Sequence, residues 1–153
     1  MEYRQGAIGA MTDEYEKAFN ELKAVLISIP DATFLKDLDA KEEDFKSIRN
    51  ITLHMIRSGY AYSNYVRKWF GNEVNSVTIE VNSIEECLSE LDKMFLYHIA
   101  TFENKWLLTD DEMMKAIIKT SWTTYDLEAI IEHAIVHILR HRLQIQKLIQ
   151  KIN

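Results

Sequence analysis

The stretch Ile130-Ile131-Glu132-His133-Ala134-Ile135-Val136-His137-Ile138-Leu139-Arg140-His141-Arg142-Leu143-Gln144-Ile145 contains neither glycine nor proline and repeats apolar residues at three- and four-residue steps. An α-helix turns about 100° per residue, so this spacing lines side chains along one face. Three histidines fall at four-residue intervals, His133, His137 and His141. With Ala134 at zero on the helical wheel, Leu127, Ile130, Ile131, Ile138, Ile145, Leu148 and Ile149 lie within about 60° and define a core-facing side. His141 lies about 20° from its centre, His137 about 60°, and His133 about 100° away. His137 and His141 are the inward pair, and His133 is left to the edge.

Working outward, the whole chain has helical character. Four glycines and one proline in 153 residues leave long stretches without a breaker, whereas sheet-rich folds need many turn residues. The spacing predicts a first helix from about Asp13 to Ile29, with Thr12 and Asp13 as cap candidates and Pro30 as the stop. Pro30 to Asp39 reads as a connection packed through Phe34, Leu35 and Leu38. Asp39 and Glu42 have capping-box spacing for a second helix ending at Phe70, with Gly71 as its C-terminal cap. A linker over 71–82 carries an alternating patch at Val77, Ile79 and Val81, which is not assigned to a sheet. Asn82 and Ser83 open a third helix with its stripe at Ile84, Cys87, Leu88, Leu91, Met94, Phe95, Ile99 and Phe102, ending near Trp106. Leu107 to Tyr125 reads as an ordered crossover with a short helix starting at Asp110, Asp111 and Glu112, because structureless loops of that length are uncommon in compact domains. Asp126 or Thr124 then caps a final helix running to about Lys151. The expected architecture is all-α, a single domain over 1–153 forming a four-helix bundle with a long connection between helices 3 and 4.

Composition narrows the function classes. A net charge of −6 and a pI near 5.4 argue against nucleic acid, whose affinity rests on Lys and Arg neutralising phosphates. Cys87 is the single cysteine, which excludes an internal disulfide framework and a Cys-rich zinc module and suits a reducing compartment. No apolar run approaches membrane-spanning length, and acidic and polar residues stand where a signal peptide has its apolar core. The expectation is a cytoplasmic protein without membrane contact.

On the second predicted helix, Ser47, Ile51, Ser58, Ala61, Tyr65 and Trp69 lie within about 60° of His54, so His54 is expected to face inward with small neighbours that leave space beside it. A lone inward histidine is most often a core residue bonded to backbone or carboxylate, and that reading holds for His98. Two inward imidazoles at i and i+4 each carry a desolvation cost, which a metal or a shared carboxylate removes. His54, His137 and His141 would together form a three-histidine set with coordination positions left open, as in catalytic zinc sites. The acidic runs at Lys41 to Asp44 and Asp110 to Glu112 read as solvated faces or caps, and Cys87 as an inert buried thiol.

Residues 130–145, together with Leu53-His54-Met55 through Tyr65, resemble the DinB/YfiT-like superfamily of four-helix metal-binding proteins. Members commonly carry His, three residues, His, two residues, then His-His-Arg-Gly-Gln, with a further histidine on the second helix. Carried over by position, the resemblance implies His54, His137 and His141 as ligands. Arg140 stands where the first histidine of the adjacent pair is common, and Leu143 where glycine is common. The resemblance further implies a divalent metal, zinc or nickel, a small-molecule substrate and a homodimer. It implies transferase or isomerase chemistry with a low-molecular-weight thiol cosubstrate such as bacillithiol or mycothiol. The alternative expectation is a non-catalytic helical bundle that binds a small ligand or protein partner. Glu132 and Tyr62 are acid/base candidates by neighbourhood only, and Gln144 and Arg142 are candidates for supporting or packing roles.

Overall fold

A computed structural model describes residues 2–152, so the two end positions of the expected 1–153 domain lie outside the described residues. The protein is mostly helical. Four long helices, α1 (Gly6–Ile27), α3 (Ile48–Phe70), α4 (Ile84–Thr101) and α6 (Leu127–Ile152), are joined by segments that include short α2 (Asp31–Leu35) and α5 (Asp110–Met114). Helix α3 packs on α4 and α6, and α1 packs on the same two helices. The buried apolar residues of all four form one contiguous core. Among the described residues, no helix is long and apolar enough to cross a membrane.

Helix starts differ most from the sequence expectation. Helix α1 begins seven residues before Asp13, and the two supposed cap residues lie inside it. Thr12 is buried against His98, while the Asp13 carboxylate accepts from the Arg4 backbone N–H at 3.1 Å. Asp13 thus anchors the segment ahead of the helix. Gly9 permits that close approach, since a Cβ there would meet the Arg4 carbonyl carbon at 2.6 Å. The second long helix starts at Ile48 rather than Asp39, because Ser47 supplies the cap: its Oγ accepts from the Asn50 backbone N–H at 2.9 Å. Upstream, residues 43–45 form one 3₁₀ turn. That correction matters for function, since it puts Asp44 and Phe45 on a separate turn ahead of α3, from which both reach His54.

The remaining signals act closer to expectation. Gly71 ends α3 in the left-handed region at φ 75°, a conformation that costs glycine least. Pro30 ends the first helical run and precedes α2, of which only Phe34 is fully buried. Ser83 caps α4 by accepting from the Glu86 N–H at 3.1 Å. Helix α4 stops at Thr101, short of Trp106, and the chain turns away through Asn104 at φ 62°. Within 107–125, Thr109 and Glu112 form a capping box for α5. An antiparallel pair follows, β1 (Ile118–Lys119) with β2 (Thr124–Tyr125), in the register Ile118 to Tyr125. Asp126 Oδ1 then accepts from the Ala129 N–H at 2.7 Å at the start of α6. Gly59 sets the approach of α3 to α4, since a Cβ there would lie 2.4 Å from Met94 Sδ.

Candidate metal centre

Three histidines from two helices meet where α3 crosses α6. Each of His54, His137 and His141 offers a ring nitrogen within 4.8 Å of the other two. His54 Nε2 and His137 Nε2 are 3.1 Å apart. The His141 ring centroid lies 5.0 Å from that of His54 and 4.5 Å from that of His137. His137 and His141 are buried, at 8% and 7% exposure, as their place on the α6 wheel requires.

His54 does not face straight inward. Its side chain retains 28% exposure, and the buried stripe of α3 is centred instead on Met55, Gly59, Tyr62 and Val66. The reason is that α3 packs against two neighbours, α4 and α6, so its most buried line points between them. His54 lies on the edge nearer α6 and reaches the pair from the rim. Ser58 and Ala61, expected to leave an internal space beside it, are only half-buried.

Two partners orient the imidazoles. His54 Nδ1 lies 3.1 Å from Asp44 Oδ2. An ionised carboxylate only accepts, so Nδ1 carries the proton and the Nε2 lone pair is left free. His141 Nδ1 lies 2.7 Å from Gln144 Oε1, and the same logic frees its Nε2. Phe45 covers this side, its ring centroid 6.0 Å from both His54 and His141. Asp44 and Phe45 were not legible as site residues. Asp44 sits in an acidic run that reads as solvated, and its partner is ten residues away on another element. Gln144 carried a weak signal, lying one turn beyond His141.

The electrostatics favour the neutral forms of His137 and His141. Burial, reinforced by the neighbouring histidines and Arg140, pushes His137 down to about 3. Burial also lowers His141, against the raising effect of its bond to Gln144. Neutral imidazoles with free lone pairs are the protonation state that metals bind. The spacing suits an ion as well: two metal–nitrogen bonds of about 2.0–2.1 Å at ordinary coordination angles separate their nitrogens by roughly 2.8–3.4 Å, and His54 and His137 stand 3.1 Å apart. The three histidines can hold a metal ion.

The other candidates go elsewhere. His98 is buried in the core, its Nε2 3.3 Å from Thr12 Oγ1 and its ring edge-on to Tyr15 and Phe102. Burial pushes it down to about 3. His133 is half-buried among Tyr62, Tyr125 and Trp122. Glu132 is exposed, and Arg142 pairs with Glu21 of α1. Cys87 is buried, its thiol pushed up to about 12 by that burial, and it stays protonated. Tyr62 packs edge-on to His137 at 5.7 Å. No protein-family model and no curated protein matches the chain.

Proposed function

We propose that the protein is a divalent-metal enzyme of the DinB-like type, with His54, His137 and His141 as ligands and open positions for a small-molecule substrate. In this reading the four long helices are a four-helix bundle whose long connection runs between α4 and α6, and the ion is zinc or nickel. The observation that carries it is the pair of ring nitrogens of His54 and His137, 3.1 Å apart, with the lone pair of His54 freed by Asp44 on the opposite side of its ring. When bound, the ion supplies Lewis acidity that lowers the pKa of a thiol or water, so that a nucleophile exists at neutral pH. Three neutral ligands leave the ion's double positive charge uncompensated, which favours an anionic donor, thiolate or hydroxide, and thiol-dependent transfer is the reaction class proposed.

The chain's own residues have distinct tasks in this scheme. Asp44 and Gln144 hold His54 and His141 in one tautomer and one orientation. Phe45 packs beside His54 and His141, and Tyr62 packs beside His137, so both limit the room around the ligands. Burial pushes the Tyr62 hydroxyl up to about 12, so at neutral pH it can donate a proton or hydrogen bond but does not act as a base.

Metal analysis of tag-free protein prepared with metal in excess tests the proposal. About one ion per chain is expected, as for other histidine-bound sites, and its loss in His141→Ala. Metal-free protein under those conditions refutes the proposal. One observation favours a second reading: 3.1 Å is also an ordinary hydrogen-bond length if His137 carries its proton on Nε2. His54 and His137 would then satisfy each other, and Gln144 would satisfy His141, in a non-catalytic protein that binds a small ligand or partner. In that case His54→Ala and His141→Ala change thermal stability equally with and without chelator. The homodimer is tested by sedimentation, where a monomer at high concentration removes it.

A further inference from the structure

His133 lies in line with the two α6 ligands but takes no part in the triad, and its surroundings explain its presence. Its ring is perpendicular to Tyr62 at 5.3 Å, 5.4 Å from Tyr125 and 6.3 Å from Trp122. Trp122 also packs edge-on to Tyr65 at 5.9 Å. Five aromatic rings from α3, the β1–β2 hairpin and α6 thus form one continuous surface. It joins the triad at His137, which is 5.7 Å from Tyr62 and 6.3 Å from His133. Of the five, only Tyr62 is buried, and Trp122 is 51% exposed.

That exposed indole is held in place. Its Nε1–H donates to the Tyr125 hydroxyl at 2.9 Å, and the strand register pins Tyr125 opposite Ile118. A large aromatic face fixed in one orientation and left open is preorganised for stacking, with little ordering cost on binding. The local charge argues against a cationic occupant. Lys68 Nζ already lies 6.0 Å over the Tyr65 ring, and the Arg140 charge reaches both His133 and His137. These two cations, Lys68 and Arg140, beside open π faces suit a neutral ring joined to a negative group.

We propose that Trp122, with Tyr65, Tyr125 and His133, binds an aryl group, so that the substrate is a small arene carrying an anionic donor that reaches the triad. The donor half rests on the metal reading above, and the aryl half does not. Two ring-to-ring steps separate Trp122 from His137, a span that one substituted ring with a short arm can cover.

Two experiments separate the halves. In metal-free, isotope-labelled protein, phenylmethanol is titrated while the Trp122 indole N–H resonance is followed, assigned by its loss in Trp122→Phe. A saturable shift roughly 2- to 12-fold tighter than that for cyclohexylmethanol is expected, the range for aromatic pairs beyond simple burial. No shift, or equal affinity for the two alcohols, overturns the proposal whatever the metal content. In cobalt-loaded protein, phenylmethanethiol, cyclohexylmethanethiol and ethanethiol are compared through cobalt–thiolate absorption. The aryl thiol is expected to be preferred by the same factor. Trp122→Leu should abolish the preference and Trp122→Phe keep most of it, with ethanethiol binding unchanged in both. A preference that survives Trp122→Leu overturns the proposal. A protein that takes neither zinc, nickel nor cobalt yet passes the first experiment sinks the metal reading and supports the aryl half.

Discussion

Removing the Asp44 carboxylate should weaken metal binding without touching a ligand. Asp44 accepts from His54 Nδ1 at 3.1 Å, and loss of such a supporting partner typically costs about 10- to 100-fold in metal affinity. The lower end applies here, because the His54 and Asp44 side chains retain 28% and 50% exposure and solvent screens the carboxylate's charge. Asp44→Ala removes both the acceptor and the charge, and roughly tenfold weaker zinc binding is expected. Asp44→Asn keeps an acceptor oxygen for Nδ1 and removes only the charge, so its loss should be smaller. The assay is competition for zinc against a chromogenic chelator at pH 7.5, with His54→Ala as the reference for loss of a ligand. Equal zinc affinity for the parent and Asp44→Ala, while His54→Ala is impaired, would refute the assigned role of Asp44. Asp44→Asn falling as far as Asp44→Ala would show that charge, not orientation, is what Asp44 contributes.

Three further outcomes follow from the packing. Gln144→Ala removes the acceptor from His141 Nδ1 and should also weaken zinc binding about tenfold, and an unchanged affinity would rule out that orienting contact. His98 is held neutral, its pKa lowered by burial from 6.5 to about 3. The unfolded chain therefore binds this proton first as pH falls, so the stability contribution is complete above about pH 6.5 and declines towards pH 3. Between pH 7.5 and pH 5 the loss is about 2 kcal/mol by linkage, and His98→Gln should show a pH dependence smaller by that amount in urea unfolding. Parallel pH dependences for the two proteins would contradict it. Ser47→Ala removes the cap that starts α3 and should cost about 1 kcal/mol of stability, measured the same way, with no loss counting against Ser47 as the working cap.

Much of the site was legible because it lies along one helix. The wheel separates His137 and His141 from His133 using only the rotation per residue, and burial follows that order, since the apolar stripe of α6 has no choice but to face the core. Cap signals were less dependable. Ser83 and Gly71 act at helix ends as written, whereas Thr12, Asp13, Asp39 and Glu42 have the right chemistry in the wrong places. A side-chain oxygen that can cap a helix can equally bond a neighbouring segment, and Asp13 does so with Arg4.

The sequence alone therefore determined the helical class, the core face of α6 and the inward pair of histidines, all set by local periodicity. Tertiary structure decided the rest. It placed His54 at the rim because α3 divides its packing between α4 and α6. It carried Asp44 and Phe45 over the site on a 3₁₀ turn, and it gathered Tyr62, Tyr65, Trp122, Tyr125 and His133 from three elements into one aromatic surface. Those contacts join residues far apart in the chain, and no local repeat encodes them.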